Sequence, residues 1–167
     1  MSKAITLHIN GAARTIVVEN DALLLDVLRE QAHCMSVREG CGVGACGACT
    51  AVVNGSPIST CLALAVRYDG AHIITTEGLG ADDPVVAAFI QAGALQCGYC
   101  TPGIVLMVRD LLASNPTPVQ EDIEEHLAGN ICRCGAYPDI IRAVQTVVAA
   151  GAAPSVRVAT VEKESQQ

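Results

Sequence analysis

The chain has 167 residues, of which 51% are hydrophobic and 2% aromatic, and nine are cysteines. Its formal net charge is -7, from 10 basic and 17 acidic side chains, and the sequence has no cluster of Lys and Arg. We therefore expect no nucleic-acid partner, because phosphate binding requires grouped cations. The N-terminal residues alternate apolar and polar side chains and lack the apolar core of a signal peptide, so we expect no export signal in this chain.

Residues 1–76 are predicted to form a small α+β domain, because strand-like and helix-like patterns alternate within them. Two Asn-Gly pairs mark hairpin turns. The predicted elements are strands at 5–9 and 15–18 joined by a turn at Asn10-Gly11, a helix over 24–31, a glycine-rich cysteine loop over 40–49, a strand at 50–53 with a turn at Asn54-Gly55, and a strand at 72–76.

Residues 77–83 are predicted to link this domain to a helical domain over 84–151, since glycines cluster there before a proline. The residues 152–167 are predicted to be a C-terminal tail. Proline and capping residues define four expected helices. They begin at Pro84; at Thr101-Pro102, ending before Asn115; at a capping box over 117–120, ending near Gly129; and at Pro138, ending near Gly151.

The 25 residues between Asp83 and Arg109 contain no charged side chain, and a stretch of this length could span a bilayer. They include two glutamines, two cysteines, three glycines and Pro102, which suit a protein interior better than lipid. The stretch is therefore predicted to be buried in the protein and not to span a membrane.

A first set of four cysteines has intervals of four, two and eleven residues. These intervals are the ones that plant-type ferredoxins use to hold a [2Fe-2S] cluster. Three glycines inside the loop permit backbone angles that other residues avoid and let peptide N–H groups approach sulfur. The set consists of Cys41, Cys46, Cys49 and Cys61.

A second set comprises Cys97 and Cys100, then Cys132 and Cys134 after 31 residues. This spacing alone suits zinc equally well. Both pairs precede predicted helix starts, however, and helix N-termini stabilise an anionic centre such as a four-thiolate [2Fe-2S] cluster. We therefore favour a second iron–sulfur cluster, with zinc and a disulfide framework as the alternatives. The ninth cysteine, Cys34, is expected to be a buried apolar residue.

Three segments resemble the small iron–sulfur subunit of the molybdenum hydroxylases, the xanthine oxidase family. They are Cys-Gly-Val-Gly-Ala-Cys-Gly-Ala-Cys-Thr at 41–50, Gln-Cys-Gly-Tyr-Cys-Thr-Pro-Gly at 96–103 and Gly-Asn-Ile-Cys-Arg-Cys-Gly at 129–135. The resemblance implies a β-grasp, ferredoxin-like domain followed by an all-α four-helix domain, each with one [2Fe-2S] cluster. It also implies the electron-transfer subunit of a multi-subunit oxidoreductase, with no bond chemistry in this chain.

The resemblance assigns roles residue by residue. The second cysteine set would hold the cluster proximal to a molybdopterin, and the first set the distal cluster. Gln96 matches the glutamine that hydrogen-bonds the pterin, and Cys134 matches a ligand whose sulfur also approaches it. For Gln96 the alternative is a helix-end amide satisfied by backbone.

The resemblance also implies partners. A large subunit would carry the molybdopterin, in bacteria as the cytosine dinucleotide, and would oxidise an aldehyde or an N-heterocycle. The residues after Cys134 read Gly-Ala-Tyr-Pro, where the xanthine-oxidising branch has Thr-Gly-Tyr, so the acceptor subunit is left open between FAD and a cytochrome. We expect a cytoplasmic complex, or alternatively a periplasmic one exported folded with a signal-bearing partner. The alternative functions are a free ferredoxin-like carrier and a zinc-structured interaction module.

Overall fold

A computed structural model describes residues 1–152, in which a five-stranded mixed sheet precedes four helices. The sheet order is β2-β1-β5-β3-β4; β1 and β5 are parallel and the other neighbours are antiparallel. The strands are β1 (Ser2–Ile9), β2 (Ala12–Glu19), β3 (Thr50–Val53), β4 (Ser56–Ser59) and β5 (His72–Ile74). The predicted strands are all present, whereas β4 was not predicted. Its two serines and proline give no strand signal, and it lies at the sheet edge, where proline is tolerated.

Asn-Gly turns close both hairpins, as predicted. Asn10 and Asn54 have φ of 51° and 48°, and the glycines that follow have φ of 85° and 84°, as two-residue hairpin turns require. The predicted first helix is only partly α-helical. Its first turn, α1 (Leu24–Asp26), continues as a π-helical turn over Val27–Gln31, where the Ala32 N–H donates to the Val27 carbonyl at 3.0 Å.

The helical region packs around a separate core that includes the buried Phe89, Ile104 and Ile140. Its helices are α2 (Pro84–Ala92), α3 (Thr101–Ser114), α4 (Gln120–His126) and α5 (Tyr137–Ala149). Together with the sheet, they confirm the predicted α+β class and the order of the two regions. The exact domain limits of 76/77 and 83/84 stay a prediction, and the predicted tail lies, apart from Ala152, outside the described residues.

The start of α4 differs from the expected capping box. The N-cap is Val119, and its N–H donates to the Asp122 carboxylate at 3.0 Å. Asn115 holds the preceding turn, because its side chain accepts from the Thr117 N–H at 3.3 Å and donates to Asp122 at 3.0 Å. The Thr117 hydroxyl is therefore not needed as a cap, and α4 begins three residues after it.

The uncharged stretch folds back on itself, and the two charges at its ends meet. Arg109 on α3 forms an ion pair with Asp83, and the two side chains are 11% and 8% exposed. The other Asp83 oxygen caps α2 by accepting from the Val85 and Val86 N–H groups at 3.0 and 3.2 Å. Within residues 1–152, no helix has the length and apolar character needed to cross a membrane.

Candidate metal centres

The first cysteine set lies between α1 and the start of the sheet's second hairpin, with its fourth member just after β4. Cys49 and Cys61 are buried, whereas Cys41 and Cys46 are partly exposed. Neighbouring thiols affect each other's pKa: the Cys46 thiol lowers that of Cys41, and the Cys49 thiol raises that of Cys61. The structure therefore brings together all four predicted residues, as two adjacent pairs.

Backbone N–H groups point at the first sulfur of this loop. The N–H groups of Val43 and Ala45 lie 3.5 and 3.3 Å from Cys41 Sγ, and these hydrogen bonds lower the pKa of Cys41 to about 7. Burial acts in the opposite direction on the fourth member and raises the pKa of Cys61 to about 11. Gly42 and Gly44, with φ of 66° and 73°, give the loop the left-handed turns that aim its N–H groups inward.

The second cysteine set is assembled from two separate segments. Cys97 and Cys100 precede α3, for which Cys100 is the N-cap, and Cys132 and Cys134 precede α5. Thiols of the two segments affect each other: the Cys134 thiol lowers the pKa of Cys97, and the Cys132 thiol raises that of Cys100. The predicted position before two helix N-termini is confirmed for α3 directly and for α5 at a distance of three residues.

Burial separates the members of the second set. It raises the pKa of Cys100 to about 12, with a further contribution from the neighbouring Cys132 thiol. Burial acts to raise the pKa of Cys132 as well. The net shift is nevertheless downward, because the Ala136 N–H, 3.4 Å from the Cys132 sulfur, and the Cys100 thiol together lower the pKa by more. Hydrogen bonding by the Tyr99 backbone lowers the pKa of the exposed Cys97. Proton loss from the buried thiols is costly in the free chain, and metal binding displaces that proton.

The pairwise geometry tests which metal group the residues fit. A structural zinc ion gathers four ligands around one point, whereas each iron of a [2Fe-2S] cluster takes two thiolates. Over the described part of the chain, no three or more His, Cys, Asp or Glu side chains converge as on a single ion. The influence of the thiols on one another two by two fits a two-iron cluster. All nine cysteines, which lie within residues 1–152, are free thiols and form no disulfide framework.

Two hydrogen bonds connect the two sets. The Ile131 N–H donates to the Cys46 carbonyl at 2.9 Å, and the side chain of the buried Asn130 donates to the Gly47 carbonyl at 3.4 Å. Gly47 has φ of 69°, and a Cβ at that position would overlap the Asn130 amide. Glycine is therefore required there both by its backbone angle and by the close approach of the helical region.

Two tyrosines hold these loops, and neither was singled out from the sequence. Tyr99 donates from its hydroxyl to the Glu39 carbonyl at 2.7 Å. The Tyr137 hydroxyl accepts from the Cys132 N–H at 2.8 Å and donates to the Asn130 carbonyl at 3.1 Å. The sequence signal that could have indicated them is the small number of aromatic residues: the chain has four, and two of these lie in or beside the second cysteine set.

The remaining predicted residues are placed as follows. Gln96 and Cys134 are both exposed, and the Gln96 side chain makes no hydrogen bond to any other described residue. Cys34 is buried, as predicted, with 4% exposure. A cleft of about 350 Å³ separates the two sets and is lined by members of both, including Cys46 and Cys100.

Comparison with protein families gives two matches that together cover most of the chain. Residues 7–70 match the model of a 2Fe-2S iron-sulfur cluster binding domain, and residues 75–145 match that of a [2Fe-2S] binding domain. Each match contains one complete cysteine set.

Similar proteins match over nearly their full length or as one part of a larger chain. The nicotinate dehydrogenase small FeS subunit of Eubacterium barkeri is 48% identical over 86% of this chain and 94% of that protein. The crystal structure of quinoline 2-oxidoreductase from Pseudomonas putida 86 matches with a TM-score of 0.85 and 38% identity, over 90% of this chain and 96% of the matched chain. The aldehyde oxidoreductase from Desulfovibrio desulfuricans matches with a TM-score of 0.84 and 40% identity, over 89% of this chain but 17% of the other.

Proposed function

The chain belongs to the small iron–sulfur subunits of the molybdenum hydroxylases, and on that premise we propose that it conducts single electrons from the molybdopterin of a large subunit to a flavin or cytochrome on another. The observation that carries this proposal is the gathering of eight thiols in two sets of four, within each of which neighbouring thiols influence one another's pKa. The chain itself makes and breaks no substrate bond.

The proposed ligands follow from the pairing. In the first set, Cys41 with Cys46 and Cys49 with Cys61 would each supply two thiolates to one iron. In the second set, the pairs would be Cys97 with Cys134 and Cys100 with Cys132. When bound, each [2Fe-2S] centre accepts and releases one electron at a time.

Backbone groups of this chain would set the charge balance of each site. The N–H groups of Val43 and Ala45 donate to Cys41, and the Ala136 N–H donates to Cys132. Hydrogen bonds to a thiolate stabilise its negative charge, so they favour the reduced state of a centre held there. The N-terminus of α3, which begins directly after Cys100, adds a positive dipole end to the second set.

A short route through the chain connects the two sites. The Cys46 carbonyl accepts from the Ile131 N–H at 2.9 Å, and Ile131 is covalently joined to Cys132. A member of the first set is thus one hydrogen bond and one residue away from a member of the second. This contact supports the proposed transfer between the sites.

The exposed ends of the two sets suggest where partners bind. Gln96 and Cys134 are exposed at the second set, and we assign this end to the molybdopterin, in the cytosine dinucleotide form, of the large subunit. At the first set the apolar Val43 and Leu62 are 69% and 63% exposed. We assign that end to the acceptor subunit, which carries FAD or haem.

The substrate is bound by another chain, so only its class is proposed. Similar proteins are named as acting on nicotinate, nicotine, quinoline and aldehydes. We therefore propose oxidation of an N-heterocycle or an aldehyde by the complex. We place the complex in the cytoplasm, with folded export to the periplasm by a signal-bearing partner as the alternative.

The decisive experiment is purification of the native protein through a tag on this chain, followed by metal analysis of the complex. We expect about four irons per chain, as two [2Fe-2S] centres require, together with a co-purifying molybdenum-containing subunit. About two irons per chain, or zinc in place of iron at the second set, would contradict the ligand assignment. A stable monomer with four irons and no molybdenum partner would instead indicate a free electron carrier.

A further inference from the structure

We propose that Arg38, which lies in the sheet region, positions the loop of Cys97 and Cys100 and raises the reduction potential of the centre held by the second cysteine set. This role rests on the proposed function, because it presupposes a cluster on that set. It extends the function by assigning a potential-setting residue outside both sets of ligands.

The geometry places Arg38 between the two cysteine loops. Its backbone N–H donates to the Ala48 carbonyl at 3.1 Å, which fixes the residue on the loop of the first set. Its side chain reaches the other loop, where Nη1 donates to the carbonyl of Gly98, the residue directly after Cys97. The guanidinium carbon also lies 5.2 Å from the centre of the Tyr99 ring.

Tyr99 connects the same two loops by a hydrogen bond in the opposite direction. Its hydroxyl donates to the carbonyl of Glu39 at 2.7 Å. Residues 38 and 39 therefore form hydrogen bonds with Gly98 and Tyr99, the two residues between Cys97 and Cys100. A planar guanidinium can stack on an aromatic ring and donate in the ring's vicinity at the same time, which an ammonium group does less well. The contact therefore constrains the loop as well as bringing a charge to it.

The charge of Arg38 has no acidic partner. The side chain is partly buried, yet among residues 1–152 no carboxylate forms an ion pair with it. Arg109 provides the contrast, because its buried guanidinium is paired with Asp83. A partly buried cation without a counter-ion is costly, and this one ends on the backbone between Cys97 and Cys100, which are two of the proposed thiolate ligands of the second set.

The direction of the effect follows from charge. One-electron reduction adds one negative charge to a four-thiolate centre, so a nearby cation stabilises the reduced form more than the oxidised form. The Arg38 side chain ends on the loop of Cys97 and Cys100, and therefore the second set responds more than the first. Removing the charge lowers the potential of the second centre.

The test is an EPR-monitored redox titration of the purified complex carrying Arg38→Gln, after iron analysis has shown both centres to be present. We expect the equilibrium constant for reduction of the second centre to fall about tenfold, which is about 59 mV for one electron, with a smaller change at the first. Arg38→Lys keeps the charge, and we expect it to stay within about threefold of the wild type. Arg67→Gln removes an exposed charge of the sheet region outside both cysteine loops and should change neither potential.

The inference is overturned if both centres are present in Arg38→Gln and the second potential stays within about threefold of the wild type. It is also overturned if Arg38→Lys falls as far as Arg38→Gln, because the effect would then come from lost packing and not from charge. An equal shift at both centres would show that Arg38 does not act selectively on the second set. Absence of two-iron centres in the wild-type complex would instead contradict the proposed function, which the iron analysis detects beforehand.

Discussion

The two cysteine sets are built in different ways. Three members of the first set come from one loop of nine residues, Cys41 to Cys49, whose turns are made by glycines. The second set joins two segments that are 31 residues apart, and each of its thiol pairs crosses that gap. The first site therefore depends mainly on local backbone geometry, whereas the second depends on how the helices pack.

This difference predicts where each site is vulnerable. Substitutions far from the second set should damage it if they loosen α2, α3 or α5, because its two segments precede α3 and α5 and are brought together by the packing of the helices. The first set should tolerate such changes and respond to changes within its own loop.

The largest expected effect is that of Cys132→Ser. We expect the chain to lose about two irons, as one [2Fe-2S] centre contains, and the helical region to lose its cooperative thermal unfolding, because metal binding is linked to folding in small domains. Iron analysis and circular dichroism at increasing temperature measure both. Cys34→Ala, at a buried cysteine outside both sets, should keep full iron content and a cooperative transition. An unchanged melt for Cys132→Ser would show that the helical region folds without its metal.

Asp83→Asn should be the next most severe change. It keeps an oxygen that can cap α2 but removes the partner of the buried Arg109, and breaking a buried ion pair costs about 3–5 kcal/mol. Denaturant unfolding of the isolated chain measures this loss of stability. As denaturant is added, iron should be lost from the second set before the first. The matched control is Asp139→Asn, which breaks a mostly exposed pair with Arg142 and should cost at most about 1 kcal/mol. Equal effects of the two substitutions would contradict a structural role for the buried pair.

Gly47→Ala tests the contact between the two regions. Gly47 and Gly55 both have positive φ, so alanine is strained at either position by about 1 kcal/mol. Only at Gly47 would the new Cβ overlap Asn130, which adds about 1–3 kcal/mol of overpacking. We therefore expect Gly47→Ala to be clearly the less stable variant in denaturant unfolding, and comparable stabilities would argue against a tight contact at this point.

The smallest expected effect is that of Tyr137→Phe. It removes a hydroxyl that accepts from the Cys132 N–H and donates to the Asn130 carbonyl, and the loss should be about 1–2 kcal/mol. Tyr68→Phe in the sheet region is the control, since the Tyr68 hydroxyl makes no hydrogen bond with any residue that the structure describes; its effect should be within about 0.5 kcal/mol. A shift in unfolding for both variants alike would place the effect in the ring and not in the hydroxyl.

The parts of the molecule that were predicted from sequence are those with local causes. The Asn-Gly hairpins, the glycine-rich cysteine loop and the helix start at Pro84 depend on residues adjacent in the chain. The resemblance of three short segments to a known family was specific for the same reason. The zinc alternative stayed open for the second set because the thiol pairs form only after folding.

The parts that were missed have causes elsewhere in the chain. Strand β4 exists because β3 offers it a partner, and the cap of α4 is supplied by Asp122 and Asn115 instead of Thr117. The contacts of Arg38 with Gly98 and of Asn130 with Gly47 span 60 and 83 residues. No local pattern indicates such contacts, because each depends on the docking of one region on the other.

The ion pair between Asp83 and Arg109 also bears on synthesis of the chain. The 25 uncharged residues between them leave the ribosome before their closing charge does, and during that interval the apolar side chains of α2 and of the first part of α3 have no completed core. Arg109 is the first charged residue to follow, so it is the earliest cation in the sequence after this stretch that can pair with Asp83. The pair thus joins, inside the folded protein, the two ends of a segment that is long enough to span a membrane.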